Sequence, residues 1–246
     1  MISFVVATER LLAKVLEIQE LSFLKQQDDL FIFGSNEPVS GPGKQVLLNL
    51  GFVKIFEDCY VPDQCADYSR ERIVRVLFES IGAESYLKRI TIQKNVGCYQ
   101  VLLRRAVNQT PNLSRVLDVG CGPGTILDAV DGNSFHITGF DFVEDNLVAA
   151  RKKGLNTVGS KELMLLPANS VDLVICSFVL HYESLSLAMI SQIASLIRPY
   201  GLWAANFHKD RGYSWFTEML IKTGTYHLRT EESEFGRLLF ATKLES

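Results

Sequence analysis

An apolar strand-like run, Val116-Leu117-Asp118-Val119, leads directly into Gly120-Cys121-Gly122-Pro123-Gly124 and then Thr125. Glycines alternating with other residues at a strand tip constrain this chain more than any other feature. Glycine is needed where the backbone bends into conformations that a Cβ penalises, and where a ligand must lie against the main chain. A strand, a glycine bend and a helix in succession belong to α/β sheets, whose ligands sit beyond the carboxyl ends of the strands. A dinucleotide site calls for G-x-G-x-x-G. Here the third glycine comes one residue early, and Thr125 stands where that pattern needs glycine. The spacing points away from a ligand with a pyrophosphate.

Beyond Thr110-Pro111-Asn112, short apolar runs alternate with helical segments, the mark of a parallel sheet with crossover helices. Residues 115–119, 136–140, 171–177 and 202–207 are strand candidates, with a shorter one near 156–158 and two more at 225–228 and 237–242. Helices are expected over 125–130, 143–153 and 185–197, the last two stopped by Gly154 and by Pro199-Tyr200-Gly201. Glu231-Glu232-Ser233-Glu234 reads as an exposed hairpin loop. Upstream the pattern is mostly helical. Leu11, Leu12, Val15, Leu16 and Ile18 share a helical face, residues 44–50 follow the breaker Ser40-Gly41-Pro42-Gly43 as a helix, Asp67-Tyr68-Ser69-Arg70 opens a helical stretch through Leu77, and a further helix is expected over Tyr99 to Val107. Leu30-Phe31-Ile32-Phe33 fits a strand or a buried turn. The expected organisation is a mainly helical region over residues 1–110, acting as a cap, and an α/β domain over residues 111–246.

The glycine segment resembles the first motif of the class I S-adenosyl-L-methionine (SAM)-dependent methyltransferases, and the likeness runs from about Ser114 to the end of the sequence. It implies a Rossmann-like, mostly parallel seven-stranded sheet with helices on both faces. It also implies SAM as cofactor, with S-adenosyl-L-homocysteine as product, held around Asp118, Gly120, Cys121, Gly122 and Gly124. Residues 136–142 resemble the family's second strand, and Asp141 matches its acidic residue, which bonds both ribose hydroxyls. A carboxylate is suited to that task because it accepts two hydrogen bonds at once. Phe142 would flank the adenine. Counting back from Leu166-Pro167, Glu162 matches the position that receives the adenine amino group, with Glu where Asp is commoner, and Leu163 would offer its backbone N–H. Asp172 matches a structural aspartate. Cys176-Ser177-Phe178-Val179-Leu180-His181-Tyr182 matches the segment after the fourth strand, which lies near the methionine part and the acceptor. Ser177 is therefore a candidate cofactor contact. His181 reads either as a packing histidine or as a catalytic base or orienting group.

The resemblance implies methyl transfer to O or N of a small-molecule acceptor; a protein methyltransferase and an inactive SAM-binding partner subunit are the alternatives. The net charge of −3 lacks the basic bias of a nucleic-acid binder. Arg104-Arg105 and Arg151-Lys152-Lys153 read as solvated helix surface. The five cysteines are scattered, with no C-x-x-C pair, so reduced thiols in a cytoplasmic protein are expected rather than a metal site or a disulfide framework. Neither a signal peptide nor a membrane span is expected. Of the upstream aromatics Phe52, Phe56, Tyr60, Tyr68, Tyr86 and Tyr99, most are expected in the core and one or two beside an acceptor. Trp203 reads as core. His208-Lys209-Asp210-Arg211 and the following Tyr213, Trp215 and Phe216 fall in a region that often faces the acceptor in the family.

Overall fold

The computed structural model describes residues 1–64, 69–110, 112–130 and 135–245. Cys65, the expected helix opening at Asp67-Tyr68, and Pro111 lie outside the described residues. The chain divides into two compact units, Met1–Gly82 and Ala83–Ser246.

The first unit departs from the mainly helical expectation. It holds five strands, β1 (Ser3–Thr8), β2 (Ser22–Gln27), β3 (Leu30–Ser35), β4 (Phe52–Phe56) and β5 (Cys59–Pro62), in the order β2-β3-β1-β5-β4. The opening run Phe4-Val5-Val6-Ala7 is the central strand, buried throughout. A strand covered on both faces shows no alternation, so its short apolar run carries no periodic signal. On one side Val5 and Ala7 pack with Val15, Leu47, Phe33 and Phe52 beside helices α1 (Glu9–Leu16) and α2 (Gly41–Asn49). A third helix, α3 (Arg70–Ile81), buries Ile73, Val74, Val76, Leu77 and Ile81.

In the second unit α4 (Ala83–Leu87) and the long α5 (Ile92–Gln109) precede the α/β part. The strands are β6 (Arg115–Val119), β7 (His136–Phe140), β8 (Asn156–Val158), β9 (Val171–Cys176), β10 (Ile197–Phe207), β11 (Tyr226–Ser233) and β12 (Gly236–Lys243). They form the expected seven-stranded sheet in the order β11-β12-β10-β9-β6-β7-β8. Strands β6 to β10 pair in parallel, while β12 runs antiparallel to both β10 and β11. The tail hairpin is longer than expected: β11 continues through Glu231, Glu232 and Ser233, and Ser233 pairs with Gly236 across a two-residue turn. The remaining helices are α6 (Glu144–Lys152), α7 (Ser160–Leu163), α8 (Leu187–Leu196) and α9 (Asp210–Ile221).

The sheet has apolar layers on both faces, set by strand alternation. Val116, Leu173, Ile175, Leu202 and Ala204 pack with Cys98, Tyr99 and Leu102 of α5. Leu117, Val119, Val174, Trp203 and Ala205 pack on the other face with Ile190, Ile193 and Phe216. The chain leaves β6 for β7 and β8, then returns to β9 on the opposite side of β6. That reversal falls between β6 and β9, and open α/β sheets bind ligands at the carboxyl ends of the strands flanking such a point.

At the opposite end of the strands, Asp172 ties β9 to its neighbours. Its carboxylate accepts from the Ser114 and Arg115 N–H groups at 3.1 and 2.8 Å, from Arg115 Nη2 at 2.8 Å and from Arg198 Nε at 2.7 Å. Burial alone would raise its pKa, but these hydrogen bonds outweigh it and hold the carboxyl well below the usual range. Asp172→Ala should destabilise the second unit by about 1–2 kcal/mol at pH 7, because it removes a buried acceptor from several part-buried donors. The depressed pKa makes this contribution present above the unfolded-state pKa of about 3.9 and lost as pH falls through the folded value. Thermal unfolding of the variant at pH 7 checks this; an unchanged midpoint would remove Asp172 from the framework.

Candidate active site

The bend after β6 is built as its sequence requires. Gly120, Gly122 and Gly124 have φ values of 72°, 51° and 82°, a region that L side chains rarely adopt. A Cβ on Gly120 would stand 2.4 Å from Val179 Cγ2, so glycine also permits the close approach of the segment after β9. The Gly120 and Cys121 N–H groups donate to the Phe140 carbonyl at 2.7 and 3.0 Å, fixing the bend to the end of β7. Cys121 turns its side chain into the α5-facing core. The expected helix after the bend is a short 3-10 turn over Thr125–Asp128.

Asp141 follows β7 and reaches the bend directly. One oxygen accepts from Gly122 N at 3.0 Å and from Asn146 Nδ2 at 3.3 Å, and the other accepts from Val143 N at 2.8 Å. Burial raises its pKa, against the lowering effect of these donors. Asp118 is fully buried on the α5 face, and the Tyr99 hydroxyl donates to its two oxygens at 3.0 and 3.1 Å. Burial pushes Asp118 up to about 8; the Tyr99 bond opposes this and the charge of Asp141 adds to it. Two carboxyl groups and a glycine bend thus share one low-dielectric end of the sheet.

Tyr86 and Tyr99 gave no specific sequence signal beyond being aromatic. Tyr86, on α4, brings Cε1 to 3.7 Å from where a Cβ on Gly122 would stand, and its hydroxyl pKa is raised by burial and by Asp141. Only the fold places these tyrosines beside the bend, since neither lies on a strand of the sheet.

The segment after β9 forms the other wall. Ser177 Oγ is buried without a hydrogen-bond partner. Phe178 adopts φ 59°, a strained value for an aromatic residue, and its N–H donates to Asn206 Oδ1 at 2.7 Å. His181 lies in a 3-10 turn over Leu180–Tyr182, is buried, and leaves both ring nitrogens without partners. Its ring centroid is 3.8 Å from that of His208, which follows β10 directly, and 4.0 Å from that of Tyr182. Gly212 lets α9 pack against this turn, since a Cβ there would meet His181 Cα at 2.4 Å. Trp203 and Phe216 are core residues in T-shaped contact, while Tyr213 packs against Phe207.

Glu162 and Leu163 are engaged locally in this structure. Glu162 accepts from Gly159 N at 3.0 Å, and the Leu163 N–H donates to the Gly159 carbonyl at 2.9 Å. The Leu163 side chain is buried in the layer that holds Phe140, and Phe142 packs against the same layer. The structure therefore brings together the glycine bend, Asp118, Asp141 and Ser177 at the strand ends. Phe142 and Leu163 share a neighbouring apolar layer, and the Glu162 carboxylate caps its own turn.

Comparison with known proteins points the same way. The methyltransferase-domain family matches residues 116–201. Ubiquinone biosynthesis O-methyltransferase of Bordetella avium is 33% identical over 95 residues, covering 35% of this chain and 39% of that protein. The Hahella chejuensis protein of the same name is 32% identical over 93 residues, again 35% and 39%. The chain thus spans about two fifths of the length of these curated relatives. Among solved structures, magnesium protoporphyrin IX methyltransferase from Synechocystis with bound SAM superposes with a TM-score of 0.52 at 24% identity, covering 73% of this chain and 100% of that one. A TehB-like SAM-dependent methyltransferase from Corynebacterium glutamicum gives 0.51 at 18% identity, covering 67% and 98%.

Proposed function

We propose that this chain, whose second unit is a class I SAM-dependent methyltransferase domain, methylates an oxygen of a small-molecule acceptor. The observation that carries the reading is the bend itself: left-handed glycines joined through Gly122 N to the Asp141 carboxylate. The site suits a cationic nucleoside. Backbone without Cβ atoms leaves room for close approach, the buried Ser177 hydroxyl lacks a partner, and the Asp141 and Asp118 carboxyls lie in a low dielectric where a neighbouring cation favours their ionised forms.

In this reading Gly120, Cys121, Gly122 and Gly124 lie against the amino-acid end of SAM with Asp118 and Ser177. Asp141 receives the ribose hydroxyls, and Phe142, Glu162 and Leu163 border the adenine. Bound SAM supplies a methyl group already activated by its sulfonium. What remains for the protein is to align an acceptor lone pair, exclude water and take up a proton where the acceptor needs it. His181 occupies the acceptor side. The choice of a small molecule and of oxygen is favoured by the O-methyltransferase relatives, over the segment they share with this chain.

Calorimetry with SAM, S-adenosylhomocysteine and NAD tests the cofactor. The expected result is binding of the first two at one site and no heat from NAD. Binding of NAD without SAM would overturn the assignment. Label transfer from methyl-labelled SAM to a panel of phenols, amines and peptides then tests the acceptor, with label on a peptide alone counting against a small molecule.

A further inference from the structure

Resting on that reading, we infer that the acceptor is a hydroxylated aromatic carrying a second, anionic group. It stacks on His208 and Phe178, gives its hydroxyl proton to His181, and meets Lys94 with its charge.

The starting point is the histidine pair. His181 is only 4% exposed and both of its nitrogens lack partners. A buried polar group left unpaired is destabilising, and phenylalanine would fill the same space without that cost. The ring that covers it, His208, is exposed and sits in the short connection between β10 and α9. Turning that ring aside needs only a side-chain rotation. It would open His181 to a hydroxyl and leave the His208 ring free to stack on the newcomer.

The surroundings select for shape and charge. The Phe178 ring lies 6.0 Å from His208 and 6.3 Å from His181, and Asn206 holds the Phe178 backbone in place. The ammonium of Lys94, on α5, stands 5.6 Å from the centre of the Phe178 ring. Flat apolar walls with the Lys94 ammonium at the margin complement an aromatic ring bearing an anion. Lys209 lies 5.8 Å from the Tyr182 ring on the other side. His181 is held neutral by burial first, then by His208 and Lys209; His208 is lowered by burial, Lys209 and Lys94. A neutral imidazole has the lone pair that proton transfer requires.

The step then balances. The hydroxyl proton passes to a His181 nitrogen, and the freed oxygen pair forms the C–O bond. The pair of the breaking C–S bond remains on sulfur. The products are an aryl methyl ether, S-adenosylhomocysteine and an imidazolium, which returns its proton to water when the site opens.

The test uses the full chain saturated with S-adenosylhomocysteine, and two probes of similar shape, 3,4-dihydroxybenzoate and 4-methylcatechol. Calorimetry should show the carboxylated probe binding at least about tenfold more tightly. Lys94→Ala should erase that preference and leave 4-methylcatechol affinity within about twofold. His208→Ala should weaken both probes about tenfold, and unchanged affinity for both would remove His208 from the stacking wall. His181→Phe, which keeps the ring and removes the nitrogens, should lower kcat at least about a hundredfold, weaken both probes by no more than about tenfold and raise the unfolding temperature. Equal affinities for the two probes, or full turnover in His181→Phe, would overturn the inference while leaving methyl transfer standing. Failure of S-adenosylhomocysteine itself to bind would bring down the methyl-transfer reading as well.

Discussion

Asp141→Ala should weaken SAM binding by at least about a hundredfold. Hydrogen bonds from two ribose hydroxyls to a carboxylate are each worth about 1.5–3 kcal/mol, and 1.4 kcal/mol is tenfold in affinity. The structure adds a second source of loss. The same carboxylate accepts from Gly122 N, Val143 N and Asn146 Nδ2, so its removal also frees the glycine bend from α6. Calorimetry with SAM measures the first effect and thermal unfolding without ligand measures the second. Because burial raises the Asp141 pKa, the folded chain already bears a cost for the charge. Truncation relieves that cost as it strands the donors, so the unfolding temperature should move much less than the affinity. Unchanged SAM affinity would remove Asp141 from the cofactor site, and an unfolded variant would show that it serves the fold first. Asp141→Asn separates the cases, since it keeps the shape and an acceptor oxygen but loses the charge.

What the sequence made legible were features with a local physical cause. The Val116–Gly124 segment announces a strand, a bend and a turn because glycine alone tolerates three left-handed positions so close together. Asp141, at the end of one strand, and Asp172, near the start of another, are singled out by the family resemblance rather than by any local pattern. The first unit was misread because β1 and β5 are short and buried along their length, leaving no alternation to detect. Leu30-Phe31-Ile32-Phe33, which fitted either a strand or a turn, is β3, paired with β1 along its whole length. The contacts of Tyr86, Tyr99 and His208 were invisible for a different reason. Tyr99 meets Asp118 across 19 positions because α5 packs on β6, and His208 meets His181 across 27 because β9 and β10 pair side by side in parallel. No pattern within a window of one helix or strand encodes such a meeting. The glycines partly do: Gly212 is required by the backbone of His181 and Gly120 by Val179, so each marks an approach without naming the partner.

Asp118→Asn should stabilise the folded chain in mildly alkaline solution while impairing cofactor binding. Asp118 is fully buried, and burial lifts its pKa to about 8, against about 3.9 expected in the unfolded chain. Between these values the folded state keeps a proton that the unfolded state has released. A raised carboxyl pKa therefore makes stability fall as pH rises through this window, by several kcal/mol in all. Asparagine removes the titration and still offers an oxygen to the Tyr99 hydroxyl. The variant should unfold at a higher temperature than the parent at pH 8, with the gap closing towards pH 4. Cofactor binding should move the other way. A sulfonium beside a buried carboxyl favours its ionised form, so SAM affinity should rise between about pH 6 and 8 as the proton is released. S-adenosylhomocysteine lacks the sulfonium and should show a shallower rise. In Asp118→Asn the two ligands should lose that difference in slope, because the group that distinguishes them by charge no longer titrates. Parallel pH profiles for SAM and S-adenosylhomocysteine in the parent protein would place Asp118 outside the reach of the sulfonium, and leave its burial to serve only the bond with Tyr99.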